Sequence, residues 1–593
     1  MVLLPSRAAG LTAPFQSRRA FVEFITVPDH VDKDGVVIGD PRWSNKDLAP
    51  TPPEQRTWTW YNLPLYWGFT VFGPTGWNVA ASLINVGLTW RQAFVSCIIG
   101  SLIAGLVVMA MARPGVQYHI GYPVLARSVM GMYGSYFFIF IRAIVCIIWY
   151  GIQSYYAAQL LSVCFRCMFG SSWTSFKNTL PVSAHVAGPI LLCFFLVWLI
   201  ELPFMFVHPT KIHYLFTIKG FIMPVATFGL FGWCMANGAG IASIDLASAA
   251  ASKAQPQALG WAIMTGINVI MGTLSPMLIN QPDLARYCKK TRDAGWVQGA
   301  AVFVSKILVY FLGLAATASI QGAWGKAYWN IWDLLAAILD HHWNAGARTA
   351  VFLVSLSFLF SAMAVNFGAN SIPFGADMTG LFPRYLSIRR GQVLCAVLGI
   401  CVVPWELIAS ATSFLSFLGS YNIFMAPLCA IILVDYALVR KGNIHVPSLY
   451  DGTPGSLYWF QAGTNWIGVF AWLAGVSMGL PGLVAQYRPH AVSAAGKHMY
   501  TFGWILTFVT AAVVYFVGIK IVPPPIYPGG MEGAPRSWEY MARNGREGFF
   551  DGERGDVEVI TSHSPALRDS EEGYDEKGGG KAEVARAAAK EEI

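Results

Sequence analysis

The chain has 593 residues, of which 55% are hydrophobic and only 12% charged. Its 40 Lys and Arg against 32 Asp and Glu leave a net charge of +8, spread over loops and tails without a basic stripe, which argues against a nucleic-acid-binding surface. Apolar runs near the ~20 residues that cross a bilayer recur almost end to end, which excludes an ordinary water-soluble domain.

Such runs can be read at 62–87, 93–113, 132–165, 187–207, 212–237, 259–281, 298–319, 350–373, 391–408, 411–437, 463–485 and 500–523. They are too long and too continuously apolar for barrel strands. They predict an all-α polytopic membrane protein with about twelve transmembrane helices. Residues 1–60 are polar, Pro-rich and basic, with no cleavable-signal pattern. They predict a cytoplasmic N-terminal tail before a transmembrane domain over 61–523. The even loops then carry Arg286, Lys289, Lys290, Arg292, Arg384, Arg389 and Arg390 to the cytoplasmic side, as the positive-inside rule expects. The opposite loops hold Arg166, Lys177, Lys326 and Arg348, so the asymmetry is moderate.

In chain order, the first informative feature is Phe72-Gly-Pro-Thr-Gly-Trp77, near the centre of the first run. Gly and Pro are costly inside a helix, so Gly73, Pro74 and Thr75 predict an unwound segment with free backbone groups facing a cavity. In the third run, Trp149 and Gln153 lie four residues apart and share a helix face. An indole there can stack on a flat ring while the carboxamide meets its N–H and C=O groups. The sixth run, with Trp261 and Gly260, Gly266, Gly272 and Pro276, predicts a second interrupted helix. Broken helices at corresponding places in two halves point to a transporter built on inverted repeats; ordinary kinked helices are the alternative. In the eighth run, Asn366 and Asn370 again share a face, either as helix glue or as site residues.

Charged residues within runs are few. Glu201, Lys306 and Asp435 are expected near run ends, able to snorkel or pair at the interface. Lys219 lies about eight residues into the fifth run, where a lysine is a functional candidate or half of a structural ion pair, and Arg142 and Glu406 complete the set. The ten cysteines fall mostly within runs as small buried hydrophobes, and the lone Cys164/Cys167 pair lacks partners for a metal or redox site. No nucleophile–base pair, HExxH motif or phosphate-cradling loop points to an enzyme. Residues 524–593 predict a cytoplasmic, largely disordered C-terminal tail, rich in Gly, Glu, Asp and Ala after Asp551.

An ordered set of motifs resembles the nucleobase:cation symporter family 1, and within it the eukaryotic allantoin, uracil and uridine permease branch. It comprises Asn45-Lys-Asp-Leu48, Pro52-Pro-Glu-Gln-Arg-Thr-Trp58, Tyr122-Pro-Val-Leu-Ala-Arg127, Trp149-Tyr-Gly-Ile-Gln153, Asn280-Gln-Pro-Asp-Leu-Ala-Arg-Tyr287, Phe382-Pro-Arg-Tyr-Leu-Ser-Ile-Arg-Arg-Gly391, Pro404-Trp405 and Val434-Asp-Tyr436 before Arg440-Lys441. The resemblance implies a LeuT-like fold of 5+5 inverted repeats plus two peripheral helices. It also implies a substrate ring held between Trp149 and Trp261, hydrogen bonds from Gln153 and Asn370, and Leu415 closing the site. Lys219 is similar in position to a lysine important for uracil transport in this branch.

The Trp-Gln-Asn set contains no counter-ion, so the expected substrate is a small, neutral, planar heterocycle read by amides that both donate and accept. Sodium-coupled members carry hydroxyl side chains near the positions of Ser361, Ala364 and Val365, two of which offer no side-chain oxygen here. Proton coupling is therefore expected rather than sodium, with no other cofactor, and Glu406, Asp377, Asp283 and Lys219 are candidates for handling the proton. The expected activity is proton-coupled import of uracil or allantoin across the plasma membrane. A uridine or thiamine-like vitamin permease and a non-transporting sensor are the alternatives. Modification of tail lysines such as Lys577, Lys581 and Lys590 by ubiquitination and trafficking machinery is implied by resemblance alone.

Overall fold

The computed structural model describes residues 22–23, 25–28, 40–85, 87–207, 212–240, 256–528 and 537–543. The described part is helical, and its only β-type pairings are two isolated bridges, Trp58 with Cys288 and Gln461 with Thr464. Ten helical stretches among the described residues are long and apolar enough to cross a bilayer. The first and ninth predicted runs are not among them, so ten continuous spanning helices stand where about twelve were expected. The first is divided into α1 (Asn62–Val71) and α2 (Pro74–Asn85). The ninth forms α11 (Ile388–Gly399), twelve residues long and extended only by a 3-10 turn to Val402.

Between them run α3 (Trp90–Tyr118), α4 (Gly134–Phe169), α5 (Gly188–Glu201), α6 (Ile212–Asn237), α7 (Pro256–Ile279), α8 (Trp296–Trp324), α9 (Ala345–Val365) and α10 (Ile372–Leu381). Then follow α12 (Ala411–Val434), α13 (Trp466–Tyr487) and α14 (Ala494–Ile521). Side chains signal several of the starts. Thr89 and Gln92 form a reciprocal capping box on α3, and Ser410 caps α12. The inner bundle packs α3 on α7 and α8, and α4 on α5 and α9, while α13 and α14 pair at the periphery and lean on α12.

The break in the first run lies at Phe72 and Gly73, where Phe72 turns to φ −70°, ψ 100° and Pro74 opens α2. Proline is pre-organised for a first helical turn, whose N–H groups lack helical partners in any case. The break predicted within Trp261–Pro276 is absent. Helix α7 continues through Pro276 and is interrupted only at Asn280. The glycines of α7 serve close packing instead: a Cβ on Gly272 would sit 2.6 Å from the Leu418 carbonyl, and one on Gly266 2.6 Å from Ser96 Oγ.

One end of the bundle is closed by segments assigned from sequence to the tails. Asn45 Nδ2 donates to the Pro383 and Leu386 carbonyls (2.9 and 3.2 Å), and Arg286 donates to Thr51 Oγ1 (2.6 Å) and to the Asp47 and Ala49 carbonyls. Within the tail expected to be largely disordered, residues 537–543 form an ordered segment. Glu539 is buried there and pairs with Arg113 at 2.5 Å, and Met541 N donates to Asn443 Oδ1. The lysine-bearing end of the tail, 544–593, lies outside the described residues.

Candidate functional site

The divided first helix leaves carbonyl oxygens without helical partners, and two side chains meet them. Ser361 Oγ of α9 donates to the Phe72 carbonyl at 2.8 Å, and Lys219 Nζ of α6 donates to the Thr70 carbonyl at 3.4 Å. Lys219 is fully buried, and it has Phe216 beside it and, among the described residues, no carboxylate within ion-pair distance. A Cβ on Gly73 would come within 2.7 Å of Ser361 Oγ, so glycine is what allows α9 to approach the break.

Beside this break lies a cavity of about 50 Å³, room for about four waters at roughly 10–15 Å³ each. Its walls include Gly73, Pro74 and Thr75 from the break, Trp149 and Gln153 from α4, and Asn370 from the eighth run. Five of the predicted side chains and the Gly73 backbone thus converge. Trp149 is fixed by its indole N–H, which donates to Tyr421 Oη at 3.2 Å, and by Phe417, 6.0 Å away between ring centroids. Tyr421 in turn donates to the Gly272 carbonyl. Pro276 lacks the N–H that would take that carbonyl in an unbroken helix, so the proline of α7 is translated into the placement of Trp149.

Gln153 Nε2 donates to Thr75 Oγ1 at 2.8 Å, while its Oε1 is buried without a partner. Asn370 lies in a π-helical turn, Asn366–Ser371, between α9 and α10, and π turns mark functional sites often. Its Nδ2 donates to Asn366 Oδ1 at 3.0 Å. Asn366 Nδ2 lies 3.1 Å from Glu201 Oε1, and Ser154 Oγ donates to Glu201 Oε2 at 2.7 Å.

Several expectations are corrected. Trp261 does not face Trp149: it lies twelve residues, roughly 18 Å along the helix, from Thr273, where α7 begins to line the cavity. It stacks instead on His498 at 3.8 Å. The second indole of the cavity wall is Trp67 of α1, fully buried with an unpartnered Nε1. Nothing in the sequence around Trp67 distinguishes it from a core residue. Leu415 is buried in α12 but does not line the cavity; from this helix Phe417 and Tyr421 reach Trp149.

Glu201, expected to snorkel or pair at the interface, is wholly buried against Ser154 and Asn366, and the chain continues past it through a 3-10 turn, Leu202–Phe206. Asp435 is likewise buried, paired with Arg440 at 2.8 Å. Lys306 is buried on the cavity wall, 3.1 Å from Tyr310 Oη, so the cavity wall does hold a lysine. Among the residues considered for the proton, Asp377 and Asp283 flank Arg142, the latter at 3.6 Å, and Glu406 is half-exposed at the opposite end, 2.8 Å from His185.

The profile of the family described as "Permease for cytosine/purines, uracil, thiamine, allantoin" matches residues 50–507. The allantoin permease of Saccharomyces cerevisiae is 31% identical over 493 residues, covering 82% of this chain and 76% of the relative. The uracil permease of the same yeast is 31% identical over 520 residues, covering 85% and 81%. Among solved structures, Mhp1, a nucleobase-cation-symport-1 family transporter in a closed conformation with bromovinylhydantoin bound, superposes with a TM-score of 0.63 at 19% identity. That match covers 82% of this chain and 97% of Mhp1 and establishes a shared fold. With a broken helix, a buried cavity beside it and a family match over most of its length, this chain is a multi-pass membrane transporter, not an enzyme, and belongs to the nucleobase:cation symporter family of cytosine/purine, uracil, thiamine and allantoin permeases.

Proposed function

We propose that the chain is a proton-coupled symporter that imports a small planar heterocycle such as uracil or allantoin across the plasma membrane. The observation that carries this reading is the convergence of Trp149, Gln153 and Asn370 on one buried cavity beside the broken first run. Trp149 supplies a stacking face, worth about 0.5–1.5 kcal/mol beyond area burial. The unpartnered Gln153 Oε1 is an acceptor for a ring N–H, and Asn370 is a second amide within the same wall. At about 50 Å³ the cavity is smaller than such a ring, so its walls move apart when substrate enters. The yeast relatives named above for allantoin and uracil support the choice of substrate class.

Proton rather than sodium coupling is supported at the break. Sodium needs several oxygen ligands, yet the Thr70 carbonyl already accepts from Lys219 Nζ and the Phe72 carbonyl accepts from Ser361. Ala364 and Val365 add no side-chain oxygen. Cytoplasmic termini are supported by the packing of 40–58 and 537–543 at the end that bears Arg286 and Arg390. One observation favours a second substrate class: Lys306 on the cavity wall would pair with an acidic, anionic heterocycle.

Radiolabelled uracil and allantoin uptake into cells lacking their own permeases, at acid and neutral pH and with sodium replaced, tests the reading. Saturable uptake that rises in acid and ignores sodium is expected. Sodium-dependent uptake would overturn the coupling. Binding without accumulation would favour a sensor, and uptake of only uridine or a vitamin would move the substrate.

A further inference from the structure

A line of hydrogen bonds runs from the cavity to a buried acid that the transport reading does not use. Asn370 Nδ2 donates to Asn366 Oδ1 at 3.0 Å, and Asn366 Nδ2 faces Glu201 Oε1 at 3.1 Å and Ser154 Oγ at 3.0 Å. Ser154 Oγ closes the ring by donating to Glu201 Oε2 at 2.7 Å. Two helices and the π turn meet here. Ser154 is on α4 one residue past the cavity residue Gln153, Glu201 ends α5, and the two asparagines lie in Asn366–Ser371. The other titratable groups facing the carboxyl are the Tyr150 phenol from α4 and the Cys395 thiol from α11. No cation pairs with Glu201 among the described residues, in contrast to Asp377, Asp283, Asp435 and Glu539, each beside an arginine.

We propose that Glu201 is the positioning residue of the substrate-reading amide, and that its protonation state determines which edge of Asn370 faces the substrate. An ionised carboxylate only accepts. Ser154 and Asn366 must both donate to it, Asn366 keeps only Oδ1 for Asn370, and Asn370 turns its Nδ2 away from the cavity and presents Oδ1. A protonated carboxyl carries one O–H. It donates to Asn366 Oδ1 once that amide turns over and gives up its Nδ2 bond to the Tyr150 carbonyl (3.2 Å), Asn366 Nδ2 then donates to Asn370 Oδ1, and Asn370 presents N–H groups instead. The proton stays on Glu201 and no covalent bond beyond its O–H changes. Substrate carbonyls and substrate N–H groups are thereby favoured by opposite protonation states, which links a proton to the substrate without direct contact between the two. This rests on the reading of the cavity as a substrate site.

The test uses full-length protein as parent, Glu201→Gln and Glu201→Asp, the last retaining an acid should the amide variant fold poorly. Infrared difference spectra between acid and alkaline pH, on detergent-purified protein without substrate, are expected to contain a carboxylic-acid C=O band. The band moves in Glu201→Asp and is missing in Glu201→Gln. Spectra that are the same for all three overturn the proposal. Uptake of radiolabelled uracil and allantoin is the second readout. The parent KM is expected to change about tenfold between acid and neutral pH, the worth of one hydrogen bond, and the Glu201→Gln KM to stay constant. A Glu201→Gln profile parallel to the parent's reduces Glu201 to a structural part and overturns the proposal. If the parent takes up neither compound, the substrate reading fails, while the infrared comparison still decides whether Glu201 titrates.

Discussion

At the capped end of the bundle, Arg286 donates to three oxygens of the 47–51 segment, and Arg142 is held beside Asp377 and Asp283. At the cavity, Gln153 keeps a buried carbonyl oxygen and Trp67 an indole N–H with no partner at all. Buried polar groups are normally satisfied, because leaving one unmade costs roughly 1–3 kcal/mol. The contrast separates two uses of costly residues. At the capped end charged groups hold segments together through carbonyls, a hydroxyl and opposite charges, even though Arg142 Nη1, Asp377 Oδ2 and Asp283 Oδ2 also lack hydrogen-bond partners. The open acceptor and donor at the cavity instead line a space that a ligand can enter. Substitutions at the two places should therefore fail in different assays.

The largest effect is expected from Arg142→Ala. Removing one partner strands Asp377 in the interior, which costs about 3–5 kcal/mol. Protein at the cell surface should fall sharply, as quantified by surface labelling; normal abundance would contradict a structural role for that pair. Next comes Trp149→Ala, expected to abolish uptake with a smaller loss of surface protein than Arg142→Ala, because it deletes the stacking face and the bond to Tyr421 but strands no buried charge. Lys219→Met should follow. It removes the donor to the Thr70 carbonyl, and the pH profile or the affinity of uptake is expected to change; a profile identical to the parent's would leave Lys219 as packing. Gln153→Glu should weaken substrate binding by about tenfold, since a carboxylate has no N–H to offer the ring and is costly to desolvate. The smallest effect is expected for Trp261→Ala. Its ring lies on His498, away from the cavity, and KM should remain within about twofold of the parent, a change worth less than one hydrogen bond.

How far this contrast can be read from sequence differs between its halves. The cavity residues Trp149 and Gln153 were legible because a four-residue spacing places both on one face of a long helix, and Gly73-Pro74 because a helix does not run through that pair. The Asn45 and Asn280–Tyr287 motifs were legible as motifs but not as ties, since hydrogen bonds such as Asn45 to Pro383 join residues more than three hundred positions apart. Trp67 was hidden because an indole in an apolar run has no signature that separates a cavity wall from a core. Trp261 was misplaced for a related reason: which turn of a helix reaches a cavity depends on how deep the helix sits. Glu201 was misjudged by the same depth problem: although it lies within six residues of the end of its run, its carboxyl turns inward to Ser154 and Asn366.

The central claim is that a planar heterocycle sits against Trp149 with Gln153 and Asn370 at its edge. The most direct measurement is binding of radiolabelled uracil and allantoin to purified parent, Asn370→Ala and Trp261→Ala, with each variant's folding checked by its thermal transition. Binding lost in Asn370→Ala and retained in Trp261→Ala, at matching thermal stability, is the predicted result. Binding retained in Asn370→Ala, or lost in Trp261→Ala alone, would contradict the account.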